Sequence, residues 1–70
     1  MQRFGEKLAL LRKSHGLTVR QLGKMLDVDH TYVSQLEKGK TKPSVAMILK
    51  ISEIFEVSTD VLMKDVLNLD

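Results

Sequence analysis

The sequence contains no cysteine. That excludes a disulfide framework and any thiolate metal site as a staple for the fold. Its two histidines, His15 and His30, are well separated and make no metal cage. No metal or other cofactor is expected. No apolar run approaches the about 20 residues that a membrane span needs. The opening MQRFGEK lacks the apolar stretch of a signal peptide. A soluble, cytoplasmic protein with no membrane partner is therefore the expectation. The 70 residues leave room for one small domain. A core of that size supplies only ~3–5 kcal/mol, so the fold must rest on packed helices, on dimerisation, or on both.

Acidic residues are scarce at one end of the chain. Residues 1–43 hold nine lysines and arginines against Glu6, Asp27, Asp29 and Glu37, a balance of +5. Residues 44–70 hold Lys50 and Lys64 against five acids, a balance of −3. Such asymmetry fits an end that faces a polyanion and an end that is free or self-associating.

Five helices are legible, and no strand. The first spans about Gln2 to Ser14, with Phe4, Leu8 and Leu11 at helical spacing and His15-Gly16 as its stop. Thr18 with Gln21 forms a capping box at the start of the second, whose buried stripe is Val19, Leu22 and Leu26. Asp27 follows at a turn, where aspartate tolerates a left-handed backbone better than most residues. Asp29 is a good N-cap for the third helix, anchored by Val33 and Leu36 and ended by Gly39. Lys40 to Pro43 form a loop. Ser44 caps the fourth helix, about Val45 to Glu56, with Val45, Ile48, Ser52 and Phe55 on one face. Ser58 caps a fifth, about Thr59 to Leu67.

The last two helices are more apolar than one small core requires. Met47, Ile51, Ile54, Val61, Leu62, Met63, Val66 and Leu67 are not expected to all point inward. A two-fold homodimer interface built from residues about 44–67 is the simplest use of the surplus. Met47, Ile54, Val61, Met63, Val66 and Leu67 are its candidate residues.

The second and third helices are joined by Asp27-Val28 alone, the spacing of a helix-turn-helix. In that motif the second of the pair lies in the DNA major groove. Gly23 lets the two helices approach, and Val33 is the buried anchor. The strings GEKLALLRKSHGLT, LGKMLDVDHTYVSQLEKGKTKPS and ILKISEIFEVSTDVL, in that order, resemble the Cro/repressor-type (Xre-like) helix-turn-helix family from about Phe4 to Met63. The string DHTYVS, the short length and the apolar C-terminus also resemble small controller proteins of restriction–modification systems. The resemblance implies an all-α, compact, five-helix DNA-binding domain acting as a homodimer on a pseudo-palindromic operator. It also implies an ion pair between Arg12 and Glu37 that braces the first helix against the third. Three positions depart from the family's pattern. Val19 stands where Gln is usual, Gly23 where Ala is usual, and Asp27 where Gly is usual.

The third helix carries the groove-reading chemistry. Each base pair shows the major groove its own pattern of donors, acceptors and methyl. Short, versatile side chains suit that edge, and His30, Thr31, Tyr32, Ser34 and Gln35 supply them. Gln35 matches adenine through two hydrogen bonds, and the Thr31 methyl suits a thymine methyl. Lys38, Lys40, Thr41 and Lys42 flank the helix as phosphate contacts, with Arg20 and Lys24 behind them on the second helix. Such contacts release counterions and make binding salt-dependent.

No convergent nucleophile or acid–base pair is legible, since sequence neighbours such as Ser14-His15 point apart on a helix. An enzyme is not expected, nor a small-molecule ligand. Two other readings use the same fold: a protein-interaction module of antitoxin-like kind, and the N-terminal part of a longer, ligand-sensing repressor. The lysines around the third helix favour the DNA-binding reading.

Overall fold

The computed structural model describes residues 3–60 and Leu62. Four helices lie among them: α1 (Arg3–Ser14), α2 (Val19–Leu26), α3 (His30–Glu37) and α4 (Val45–Phe55). Among the described residues there is no strand. The described helices thus number four where five were expected. The fifth falls mostly on residues outside the described set. Only its first turn is seen, where Ser58 Oγ accepts the Asp60 N–H at 3.1 Å.

The N-termini follow local chemistry. Thr18 Oγ1 accepts from Gln21 N at 3.1 Å, and Gln21 Oε1 accepts from Thr18 N at 2.8 Å. Each bond satisfies a backbone donor that the helix leaves orphaned. Asp29 caps α3 and Ser44 caps α4 in the same sense.

All four helices end alike. A residue with positive φ follows each: Gly16 (67°), Asp27 (60°), Gly39 (73°) and Glu56 (54°). The next N–H then reaches back five residues, from Leu17 to Arg12, Val28 to Gly23, Lys40 to Gln35 and Val57 to Ser52. This arrangement satisfies the last free carbonyls. Glycine occupies it without steric penalty, whereas glutamate does not. Glu56→Gly is therefore expected to raise the unfolding free energy by about 1 kcal/mol, and Asp27→Gly by less, because aspartate suits the left-handed region better. Urea titration of both variants checks the size and the order.

The core gathers one stripe from every helix. Phe4 and Leu8 come from α1, Leu22 and Leu26 from α2, and Val33 and Leu36 from α3. Met47, Ile48, Ile51 and Phe55 come from α4, and Leu62 closes the cluster.

The α4 face differs from the expected one. Val45 is 64% exposed, while Met47 and Ile51 are buried at 7% and 0%. The observed register puts Ile51 inside and keeps the polar Ser52 at the margin, where its hydroxyl donates to Val57 O. Met47 is thus buried in the chain's own core and has little surface left for the expected interface role. Ile54 is half-buried against the core. Val61, Met63, Val66 and Leu67 lie outside the described residues. The apolar surplus on α4 sits instead at Val45 and at Leu49, which is 52% exposed.

Candidate nucleic-acid interface

Helix α3 is held at both ends. At its start, α2 crosses closely at Gly23, where a β-carbon would lie 2.9 Å from Val28 O and 3.2 Å from His30 N. At its finish, α1 crosses at Gly5, where a β-carbon would meet the carbonyl oxygens of Leu36 and Glu37. Arg12 adds a bidentate grip. Its Nε donates to Glu37 Oε2 at 2.7 Å and its Nη2 to Glu37 Oε1 at 3.2 Å. Its Nη1 donates to Leu17 O at 2.9 Å. Val33 and Leu36 seat the helix on the core between these clamps.

This seating decides which side chains remain outside. Thr31, Gln35 and Lys38 are exposed, and His30 and Ser34 are half-exposed. With spacings of four and three, Thr31, Gln35 and Lys38 form one outward stripe with Ser34 beside it. Tyr32 differs from its neighbours, being half-buried and packed against the core cluster. Lys40 and Lys42 are exposed in the loop after α3, with Thr41 half-buried between them. Arg20 and Lys24 are exposed on α2. Together with Gln21, Val28, Asp29 and His30 they line a cleft of about 350 Å³. Among the described residues none of these five cations forms an ion pair within the chain.

The electrostatics set Asp29 apart. Hydrogen bonding from the side chain and backbone of Thr31 holds its carboxyl below the usual range, aided by the nearby His30 and Arg20. Its folded-state value is depressed, so the cap contributes fully above the unfolded value and is lost as pH falls through the folded one.

Gly5 escaped the sequence reading, although its effect on α3 is large. The available signal was a glycine inside an otherwise good helix, which is disfavoured unless packing requires it. Lys50 was also missed. Its Nζ donates to Leu26 O at 3.3 Å and so tethers α4 to the last turn of α2. Among the described residues no helix is long and apolar enough to cross a membrane. Nor do three potential metal ligands converge among them.

Two short helices joined by a tight left-handed turn, the second offering a polar stripe ringed by lysines, define a helix-turn-helix DNA-binding domain. Residues 8–62 match the helix-turn-helix family HTH_3, and the chain belongs to that family, in its Xre-like branch. The chain is 40% identical over 60 residues to the HTH-type transcriptional activator BcrR of Enterococcus faecalis, covering 86% of this chain and 29% of BcrR. It is 35% identical over 65 residues to Control protein C.MunI of Mycoplasma sp, covering 91% of this chain and 88% of C.MunI. The crystal structure of the P22 c2 repressor protein in complex with synthetic operator 9T matches with a TM-score of 0.79 at 32% identity. That match covers 84% of this chain and 89% of the repressor chain. The chain spans less than a third of BcrR and somewhat over half, 56%, of the Bacillus subtilis regulator YonR.

Proposed function

We propose that this domain binds a specific double-stranded DNA sequence as a homodimer and regulates transcription from a pseudo-palindromic operator. One observation carries the reading: the outward stripe of α3 is polar, the helix is clamped by α1 and α2 at its two ends, and its flanking lysines are left without ion-pair partners among the described residues. Thr31, His30, Ser34 and Gln35 read base edges, with Tyr32 at the margin. Lys38, Lys40, Lys42 and Thr41 hold phosphates on one side, and Arg20 and Lys24 on the other. The P22 c2 repressor, solved with an operator, supports the DNA partner. Exposed Val45 and Leu49 on α4 support a self-association surface.

Selection of bound sequences from random duplex DNA, with sedimentation of the free and bound protein, tests this reading. The expected motif is palindromic, with half-sites about one helical turn, roughly 34 Å, apart. A chain that stays monomeric at high micromolar concentration and enriches no sequence would overturn the proposal in favour of an interaction module.

The roles within the site separate by mutation. Lys42→Ala is expected to weaken cognate and random DNA alike and to lower the salt slope by about one. Thr31→Ala is expected to cost ~1–3 kcal/mol at selected base pairs and little on random DNA. Fluorescence anisotropy on both duplexes across a salt series distinguishes the two patterns. Equal losses on both duplexes for both variants would refute the division.

A further inference from the structure

The DNA-facing end of α3 carries a carboxylate that helix capping does not fully use. Asp29 Oδ2 accepts the Thr31 N–H at 2.9 Å. Oδ1 lies 3.9 Å from His30 Nδ1, beyond hydrogen-bond reach. The Asp29 side chain is 70% exposed, and that of His30 is 40% exposed. The Thr31 side chain also hydrogen-bonds the carboxylate. A carboxylate offers about four acceptor positions, so Asp29 still keeps free acceptors beside His30. A negative group here is unexpected on grounds of affinity alone. Its neighbours across the cleft, Arg20 and Lys24, suit a polyanion, and Asp29 offsets part of their charge.

A serine or asparagine would cap the helix equally well without repelling phosphate. The carboxylate differs from them in accepting hydrogen bonds and never donating. Docking strips water from it, and that desolvation is costly unless a donor replaces the water. The major groove offers two such donors, the exocyclic amines of cytosine and adenine. The adenine amine stands beside the N7 acceptor, which repels a carboxylate. The cytosine amine has no acceptor beside it on the same base.

We propose, building on the DNA-binding reading above, that Asp29 is a specificity-determining residue that accepts a hydrogen bond from a cytosine amine in each half-site. It excludes other bases at that position and lowers affinity for random DNA. The α3 cap and the base contact are thus made by one carboxylate.

The test compares the wild-type chain with Asp29→Asn and Asp29→Ser. Both variants keep an N-cap, and thermal melting monitors their folding. Each protein is titrated with the selected site, with single base-pair variants of it, and with random duplex. The wild type is expected to prefer cytosine at one position per half-site by about fivefold or more. Both variants are expected to lose that preference at that position alone and to bind random duplex more tightly. A uniform gain on every duplex would overturn the proposal and leave only charge repulsion. An unchanged profile would overturn it and leave only the cap. If the wild type selects no sequence at all, the DNA-binding reading itself fails. That result is distinct from a wild type that selects DNA while its variants keep the cytosine preference.

Discussion

Gly5→Ala is expected to destabilise the fold by about 2 kcal/mol or more. Helix propensity alone gives the opposite sign, since alanine is favoured over glycine inside a helix by up to about 1 kcal/mol. Packing decides the outcome. The added methyl would lie 2.6 Å from Leu36 O and 2.9 Å from Glu37 C, and closer still to Glu37 O. All three are backbone atoms of the last turn of α3, and none can rotate away. To admit the methyl, α1 must retreat from α3 and stretch the Arg12–Glu37 contact. A domain with ~3–5 kcal/mol of stability then loses a large part of it. Gly23 provides the control. There the nearest atoms would lie at 2.9, 3.2 and 3.3 Å and belong to the turn and the first residue of α3. The Val28 oxygen is a backbone atom and must shift, a cost that the gain in propensity of up to about 1 kcal/mol only partly offsets. Gly23→Ala is thus expected to destabilise the fold, but by less than Gly5→Ala. Urea unfolding of the three proteins checks the contrast. A Gly5→Ala protein as stable as the wild type would show that α1 can stand off from α3 without penalty.

The contrast between these glycines shows how much of the fold was legible. Capping boxes, N-caps and the Asp27 turn depend on residues within a few positions of each other. Their chemistry therefore shows in the sequence, as at Thr18 with Gln21 and at Asp29. The outward stripe of α3 was legible for the same reason, because Val33 and Leu36 determine its opposite face. The face of α4 was not. Its segment VAMILKISEIF is apolar on nearly every side, so periodicity leaves more than one register open. The core chose the one that buries Met47 and Ile51 and leaves Val45 outside. Gly5 was illegible as a contact because its partners lie more than thirty residues away. The pairing of Arg12 with Glu37 spans 25 positions and came into view only through the family resemblance.

Arg12→Ala is expected to cost about 3 kcal/mol. Both charged side chains of the pair are only 12% exposed, which separates it from surface pairs worth about 0–1 kcal/mol. Arg12 also holds Leu17 O, so its removal strands one carboxylate and one carbonyl together. Arg12→Lys keeps the charge and loses the fork. One ammonium cannot reproduce both bonds to Glu37 and the bond to Leu17, and an intermediate loss is expected. The double variant Arg12→Met, Glu37→Leu removes both charges and should recover most of the stability, since a matched apolar pair leaves nothing unpaired. Salt gives a further check. A shielded pair is screened weakly, so the Arg12→Ala deficit should persist at 1 M sodium chloride, where a surface pair's contribution would vanish. Urea titrations at low and high salt, arranged as a double-mutant cycle, measure the coupling. A coupling below about 0.5 kcal/mol would place the pair among ordinary surface pairs. The position of the pair gives the loss a functional sign. Glu37 is the last residue of α3, directly before the lysine-bearing loop. Releasing it frees the C-terminal end of the outward stripe of α3 while Gly23 and Asp29 still hold its start. Arg12→Ala should therefore weaken DNA binding beyond the unfolded fraction and do so chiefly through the phosphate contacts proposed for Lys38, Lys40 and Lys42. Base preference at Thr31 should change little.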